Sequence, residues 1–140
     1  MTENFKIIGN FIKDMSSETP DAQTYIFVKD KITKYRLKID INSKAVKKNI
    51  VEVNIIIKFV DQPEILKKSH FEITYASIVK IDEKVSDKKE MEKIILCDVP
   101  NKIYPDLERI FLNLLTDSGY PGIKFEKKVD FTELYKQKTS

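Results

Sequence analysis

Apolar positions change period once along this chain: they alternate up to about residue 81 and recur at helical spacing from about residue 87. Phe5, Ile7, Gly9 and Phe11 fall on one face of a first segment and Ile8 and Ile12 on the other, which predicts a strand over 5–13 covered on both faces, with Gly9 marking a bulge. Residues 15–24 (MSSETPDAQT) read as a polar turn region. Tyr25-Ile26-Phe27-Val28 interrupts it, either as a plug at the core edge or as a binding surface. Over 35–41 the alternation is clean, with Tyr35, Leu37, Ile39 and Ile41 inward and Arg36, Lys38 and Asp40 outward. A lysine-bearing turn at 42–49 leads to the strongest strand, 50–60, in which Val51, Val53, Ile55, Ile57 and Phe59 share a face. Asp61-Gln62-Pro63 ends it, and 71–81 alternates again.

Helical periodicity then takes over. Met91, Ile94 and Ile95 predict a helix over 87–96. The best helix is expected over 104–117, with Pro105 in its first turn, where a missing N–H costs nothing, and Asp106 and Glu108 at the positive end of the dipole. Ile103, Leu107, Ile110, Phe111 and Leu114 make its stripe, and Leu112 and Leu115 widen it. Ser118-Gly119 supplies a left-handed stop and Pro121 forbids continuation. Residues 123–125 read as extended, and Asp130 with Glu133 forms a capping box for a last helix carrying Phe131, Leu134 and Tyr135. Four strands followed by helices predict a single α+β domain over 1–140, an antiparallel meander with helices on one face. A strand of 11 residues spans roughly 35 Å, more than a few short helices cover, which predicts an oligomer.

Composition narrows the chemistry. A chain of 140 residues with 41% hydrophobic and 34% charged residues can fill one core, and a net charge of +3 is too mild to imply nucleic acid by itself. Cys97 and His70 are each the only residue of their type, which leaves no internal disulfide, no convincing nucleophile–base pair and too few ligands for structural zinc. No GxGxxG, P-loop or GxSxG occurs. The expectation is a non-enzyme without cofactor or metal. No secretory h-region and no membrane-length apolar run is present, which favours a reducing cytoplasm and no direct membrane insertion.

Four stretches carry a family likeness. Residues 12–20 (IKDMSSETP) are similar to a Lys-Asp-x-Ser-x-Glu-x-Pro signature, Val51-Glu52-Val53 opens the long third strand, 100–105 (PNKIYP) resembles a Pro-Asn-x-hydrophobic-aromatic-Pro helix entry, and Gly119-Tyr120-Pro121 with 129–135 (VDFTELY) looks like a C-terminal end. In shared order and spacing the chain resembles SecB, the protein-export chaperone, over nearly its whole length. The resemblance implies an ATP-independent holdase that binds unfolded preproteins in apolar grooves and hands them to the SecA motor, as a homotetramer built as a dimer of dimers. It implies SecA docking at Asp14 and Glu18. It implies polypeptide binding at Tyr25, Ile26, Phe27, Phe131, Leu134 and Tyr135. A dimer edge would use Phe5, Ile7 and Ile12, and a tetramer contact Leu107, Phe111 and Leu114. The chain departs from the acidic family pattern in its charge, in lacking Trp, and in carrying Thr74 where the family has a further acid. Two alternatives stand beside export: a SecB-like chaperone guarding a toxin–antitoxin pair, and a nucleic-acid-binding sheet using the basic region 29–48 with Tyr35 and Tyr75 stacking.

Overall fold

The computed structural model describes residues 4–60, 68–125 and 129–139, with residues 138 and 139 described by backbone alone. Its elements are β1 (Phe5–Glu18), α1 (Ala22–Lys31), β2 (Arg36–Lys47), β3 (Ile50–Val60), β4 (His70–Ile81), α2 (Lys88–Lys93), α3 (Val99–Asp117) and α4 (Phe131–Thr139). The expected four-stranded antiparallel sheet with helices after it is present. Its order is β1-β4-β3-β2. The meander therefore holds for β2, β3 and β4, whereas β1 joins the far side of β4 instead of pairing with β2. The physical reason is the connection between them: residues 19–35 are too many for a tight hairpin and fold their own helix, whereas β2 and β3 turn at once through Asn49, whose φ of 63° is left-handed.

Register sorts the side chains into two faces. Val53, Ile55, Ile57 and Phe59 of β3 stand opposite Ser77, Tyr75, Ile73 and Phe71 of β4, and this face is buried. Over it α3 lays Val99, Ile103, Leu107, Phe111 and Leu115, all buried, at helical spacing. The two central strands thus carry the core, and β1 and β2 are edges.

Several boundaries differ from those the pattern predicts. β1 runs through Met15-Ser16-Ser17-Glu18, expected as turn, because each pairs with β4 as far as His70, and pairing overrides polar composition. The bulge expected at Gly9 is there, and a second lies between Ile12 and Asp14. Tyr25 to Val28 lie on α1, not in a loop. Asp21 caps that helix by accepting from the Thr24 N–H at 2.7 Å. β2 continues to Lys47 through the expected lysine turn, since β3 offers partners that far. Residues 123–125 form no strand. The end signal at 61–63 lies outside the described residues.

The larger correction concerns Pro105. It sits inside α3, and Pro100 occupies the first turn. Between α2 and α3 runs a π turn, Ile94–Asp98, where the Val99 N–H reaches back to the Ile94 carbonyl. The turn lies just before Pro100, whose absent N–H would interrupt an ordinary α ladder there. The helix path is consequently continuous where the pattern predicted a break. Its end is as expected: Gly119 takes φ 104°, and the Tyr120 N–H bonds the Leu115 carbonyl at 2.9 Å.

Candidate functional site

On the helix side of the sheet, Leu37, Ile39 and Ile41 of β2 stand opposite Phe59, Ile57 and Ile55. They are apolar and point toward the core, yet stay half-buried because β2 is an edge that α3 does not reach across. Two cavities open in succession along this row. The first, about 710 Å³, is lined by Tyr35, Leu37 and Phe59 from the sheet and by Ile32, Ile123 and Phe125 from the segments beside it. The second, about 210 Å³, is lined by Ile39 and Ile41 of β2 against Leu96, Leu134 and Tyr135. One strand thus forms the floor of a two-part apolar trough, and α4 with residues 123–125 forms its far wall.

The walls are held by specific contacts. Phe131 at the start of α4 is fully buried and meets Tyr104 of α3 edge-on at 5.4 Å. Thr132 accepts from Asn101 Nδ2 at 3.2 Å and lies 3.4 Å from Cys97 Sγ. The Tyr135 hydroxyl donates to the Lys89 carbonyl at 3.4 Å. Burial pushes the Tyr104 hydroxyl far above the ordinary tyrosine range, so it is neutral at any physiological pH. At the other end of the trough Phe125 packs on Phe59 at 5.7 Å and on Phe111 at 6.2 Å. A polar hub closes that end: Ser69 Oγ lies 2.8 Å from the Tyr120 hydroxyl and 2.7 Å from Thr19 Oγ1, and the Ser69 N–H donates to the Tyr35 hydroxyl at 3.1 Å. These bonds join the ends of β1 and α3 to the starts of β2 and β4.

The residues expected to meet polypeptide are thus divided. Leu134 and Tyr135 line the trough. Phe131 does not, and this corrects the expectation: as the first residue of α4 it is the anchor beneath the helix. Tyr25 packs on Tyr120 at 5.3 Å and donates to the Gly119 carbonyl at 2.9 Å, which makes it chiefly a brace. Ile26 is 65% exposed and, with half-buried Phe27, borders a separate depression on α1. The floor residues Leu37, Ile39 and Ile41 were missed as site residues. Alternation marked them as core, and only the strand order shows that they lie at an edge.

The expected oligomer contacts also divide. Leu107 and Phe111 are fully buried against the sheet and unavailable to a second protomer, because the stripe that fits a partner helix fits the sheet equally well. Phe5 is nearly buried, with the Lys102 ammonium 5.2 Å above its ring. Ile7 and Leu114 are half-buried. Ile12 is exposed, as are Ile8, Phe11 and Met15 of β1, with Ile12 and Met15 on the core side of the strand and Phe11 on the outer face.

The outer sheet face carries the charge. Asp14 stands opposite Thr74, Ser16 opposite Glu72, and Glu18 opposite His70, so Asp14, Glu18 and Glu72 share one face. The strand rise separates Asp14 from Glu18 by about 13 Å. Glu72 was not singled out from sequence. It lies 3.7 Å from the Lys58 ammonium and 3.6 Å from His70 Nε2. Lys13, in the second bulge, crosses to Glu52 at 2.7 Å. This hydrogen bond, with a second from Asn54, holds the Glu52 carboxyl below its usual range. Among the described residues no cluster of His, Cys, Asp and Glu is arranged to hold a metal, and no helix is long and apolar enough to cross a membrane.

Known proteins give this geometry a family. A Mycobacterium tuberculosis SecB-like chaperone, Rv1957, solved in complex with a ChAD peptide from the Rv1956 HigA1 antitoxin, shares the fold with a TM-score of 0.68 at 12% identity, over 90% of this chain and 88% of that one. In sequence, a Pelagibacter ubique (strain HTCC1062) protein carrying a SecB assignment is 85% identical over the full length of both chains. The protein-export protein SecB of Dinoroseobacter shibae is 29% identical, over 94% of this chain and 76% of its own, and that of Rickettsia akari 26% identical, over 98% and 89%. The family profile of preprotein translocase subunit SecB matches residues 1–140. The profile match over the whole chain and the 85% identical relative place the chain in the SecB family of protein-export chaperones.

Proposed function

We propose that the trough along β2 holds extended segments of unfolded preproteins without ATP, and that the acidic row of β1 presents the loaded chaperone to SecA. The observation that carries the first half is the pair of cavities along one edge strand, the first floored by Tyr35 and Leu37 and the second by Ile39 and Ile41. Shallow apolar contacts of this kind bind any chain that has not buried its own side chains, and several together make a tight sum. Folded proteins offer no such segment. Asp14 and Glu18, exposed on the outer face, are the docking residues, and Glu72 lies beside them. A homotetramer places several troughs on one particle, with protomers meeting along the β1 edge.

Capture of a denatured, aggregation-prone protein tests the proposal. The wild-type chain is expected to suppress light scattering at stoichiometric amounts, and Leu37→Asp with Ile39→Asp to weaken capture more than tenfold while circular dichroism stays native. Equal capture by the variant removes the trough from the function. Asp14→Lys with Glu18→Lys is expected to abolish SecA binding and leave capture intact. A second occupant, an antitoxin peptide, is favoured by the HigA1 peptide carried by the fold relative. A pull-down of the chain with exported precursors against antitoxins encoded beside it separates the two.

A further inference from the structure

The two edges of the sheet are dressed differently. β1 exposes Ile8, Phe11, Ile12 and Met15. β2 is apolar on its trough side only. On its outer side it carries Arg36, Lys38, Asp40, Asn42 and Lys44, three cations against one acid. Lys38 stands directly opposite Lys58, a like-charge pair that costs the sheet stability. Lys58 has Glu72 beside it and Lys44 has Glu52, but no ion pair reaches Arg36 or Lys38 among the described residues. These two cations flank Leu37, the floor of the larger cavity.

An edge strand offers unpaired N–H and C=O groups to any extended chain that lies beside it. A segment seated on β2 has the same two-residue period. Where one side chain drops into the cavity next to Leu37, its neighbours on either side emerge on the outer face opposite Arg36 and Lys38. Opposite charges across a strand pair attract and like charges repel. Resting on the trough reading above, we infer that the β2 edge selects extended client segments with an acid–apolar–acid triplet, the apolar residue in the Leu37–Phe59–Phe125 cavity and the acids paired with Arg36 and Lys38.

Three labelled peptides as long as β2, sharing one apolar row and carrying Glu, Gln or Lys at the alternate positions, test this by fluorescence anisotropy. The Glu peptide is expected to bind on the order of tenfold tighter than the Lys peptide at low salt, with the Gln peptide between, and the spread to shrink as salt rises. Arg36→Glu with Lys38→Glu is expected to reverse the order while leaving the Gln peptide unchanged, which also shows that the variant is folded. Lys84→Glu with Lys88→Glu changes net charge equally, away from the trough, and is expected to keep the wild-type order. Equal affinity for the three peptides overturns the selectivity, as does a reversal by the Lys84/Lys88 variant. Failure of all three peptides, Gln included, overturns the trough reading itself.

Discussion

Gly119 stops α3 at φ 104°, a conformation a side chain adopts only with strain, and a Cβ there would sit 2.8 Å from Tyr25 Cε1. The Tyr25 ring has little freedom to yield, because its hydroxyl is bonded to the Gly119 carbonyl and its ring packs at a tilt against Tyr120. Gly119→Ala is expected to cost about 1–3 kcal/mol, seen as a lower urea midpoint with unchanged slope. At this scale the sequence is half legible. Ser118-Gly119 announces a helix stop because the signal is local. Nothing in Tyr25 announces that it braces that stop from the opposite part of the chain, and the same holds for Ser69, whose three hydroxyl partners are scattered along the sequence.

Elements were legible where their period was their own and illegible where neighbours decided. β3 is correct to the residue, since its alternation is strong and both sides are partnered. β1 and β2 are longer than their apolar runs because β4 and β3 supply hydrogen bonds past the point where hydrophobicity ends. Pro105 looked like a helix start on its local merits, and a π turn before Pro100 moved the start upstream. Phe131 is expected as a client contact through the family resemblance, whereas the aromatic start of a short terminal helix serves equally to dock it. Here Tyr104 covers it. Phe131→Ala is therefore expected to destabilise the protomer by about 3–5 kcal/mol and to free α4, read as a loss of amide protection confined to 131–139 at mild denaturant. If α4 keeps its protection, the anchor lies elsewhere.

At the scale of the molecule the edges matter more than the core. The 11-residue third strand predicts an oligomer by its overhang, but of the tetramer contacts expected on α3, Leu107 and Phe111 are already buried against the sheet. Large apolar side chains are instead exposed along the β1 edge, on both of its faces. Ile12→Lys with Phe11→Lys is expected to leave the protomer folded, because both side chains are exposed, and to lower the particle mass measured by light scattering. An unchanged mass removes the β1 edge from the proposed assembly. The candidate trough was the least legible feature, since its floor is core by pattern and becomes surface only through the order β1-β4-β3-β2.

That order also has a consequence in time. Phe5 pairs with Ile81 and Glu18 with His70, so the first strand to leave the ribosome has no partner until the fourth has followed it. At roughly 5–20 residues per second this leaves an apolar ribbon unclaimed for several seconds of every synthesis. A member of a family of protein-export chaperones is, for that interval, itself an unfinished chain.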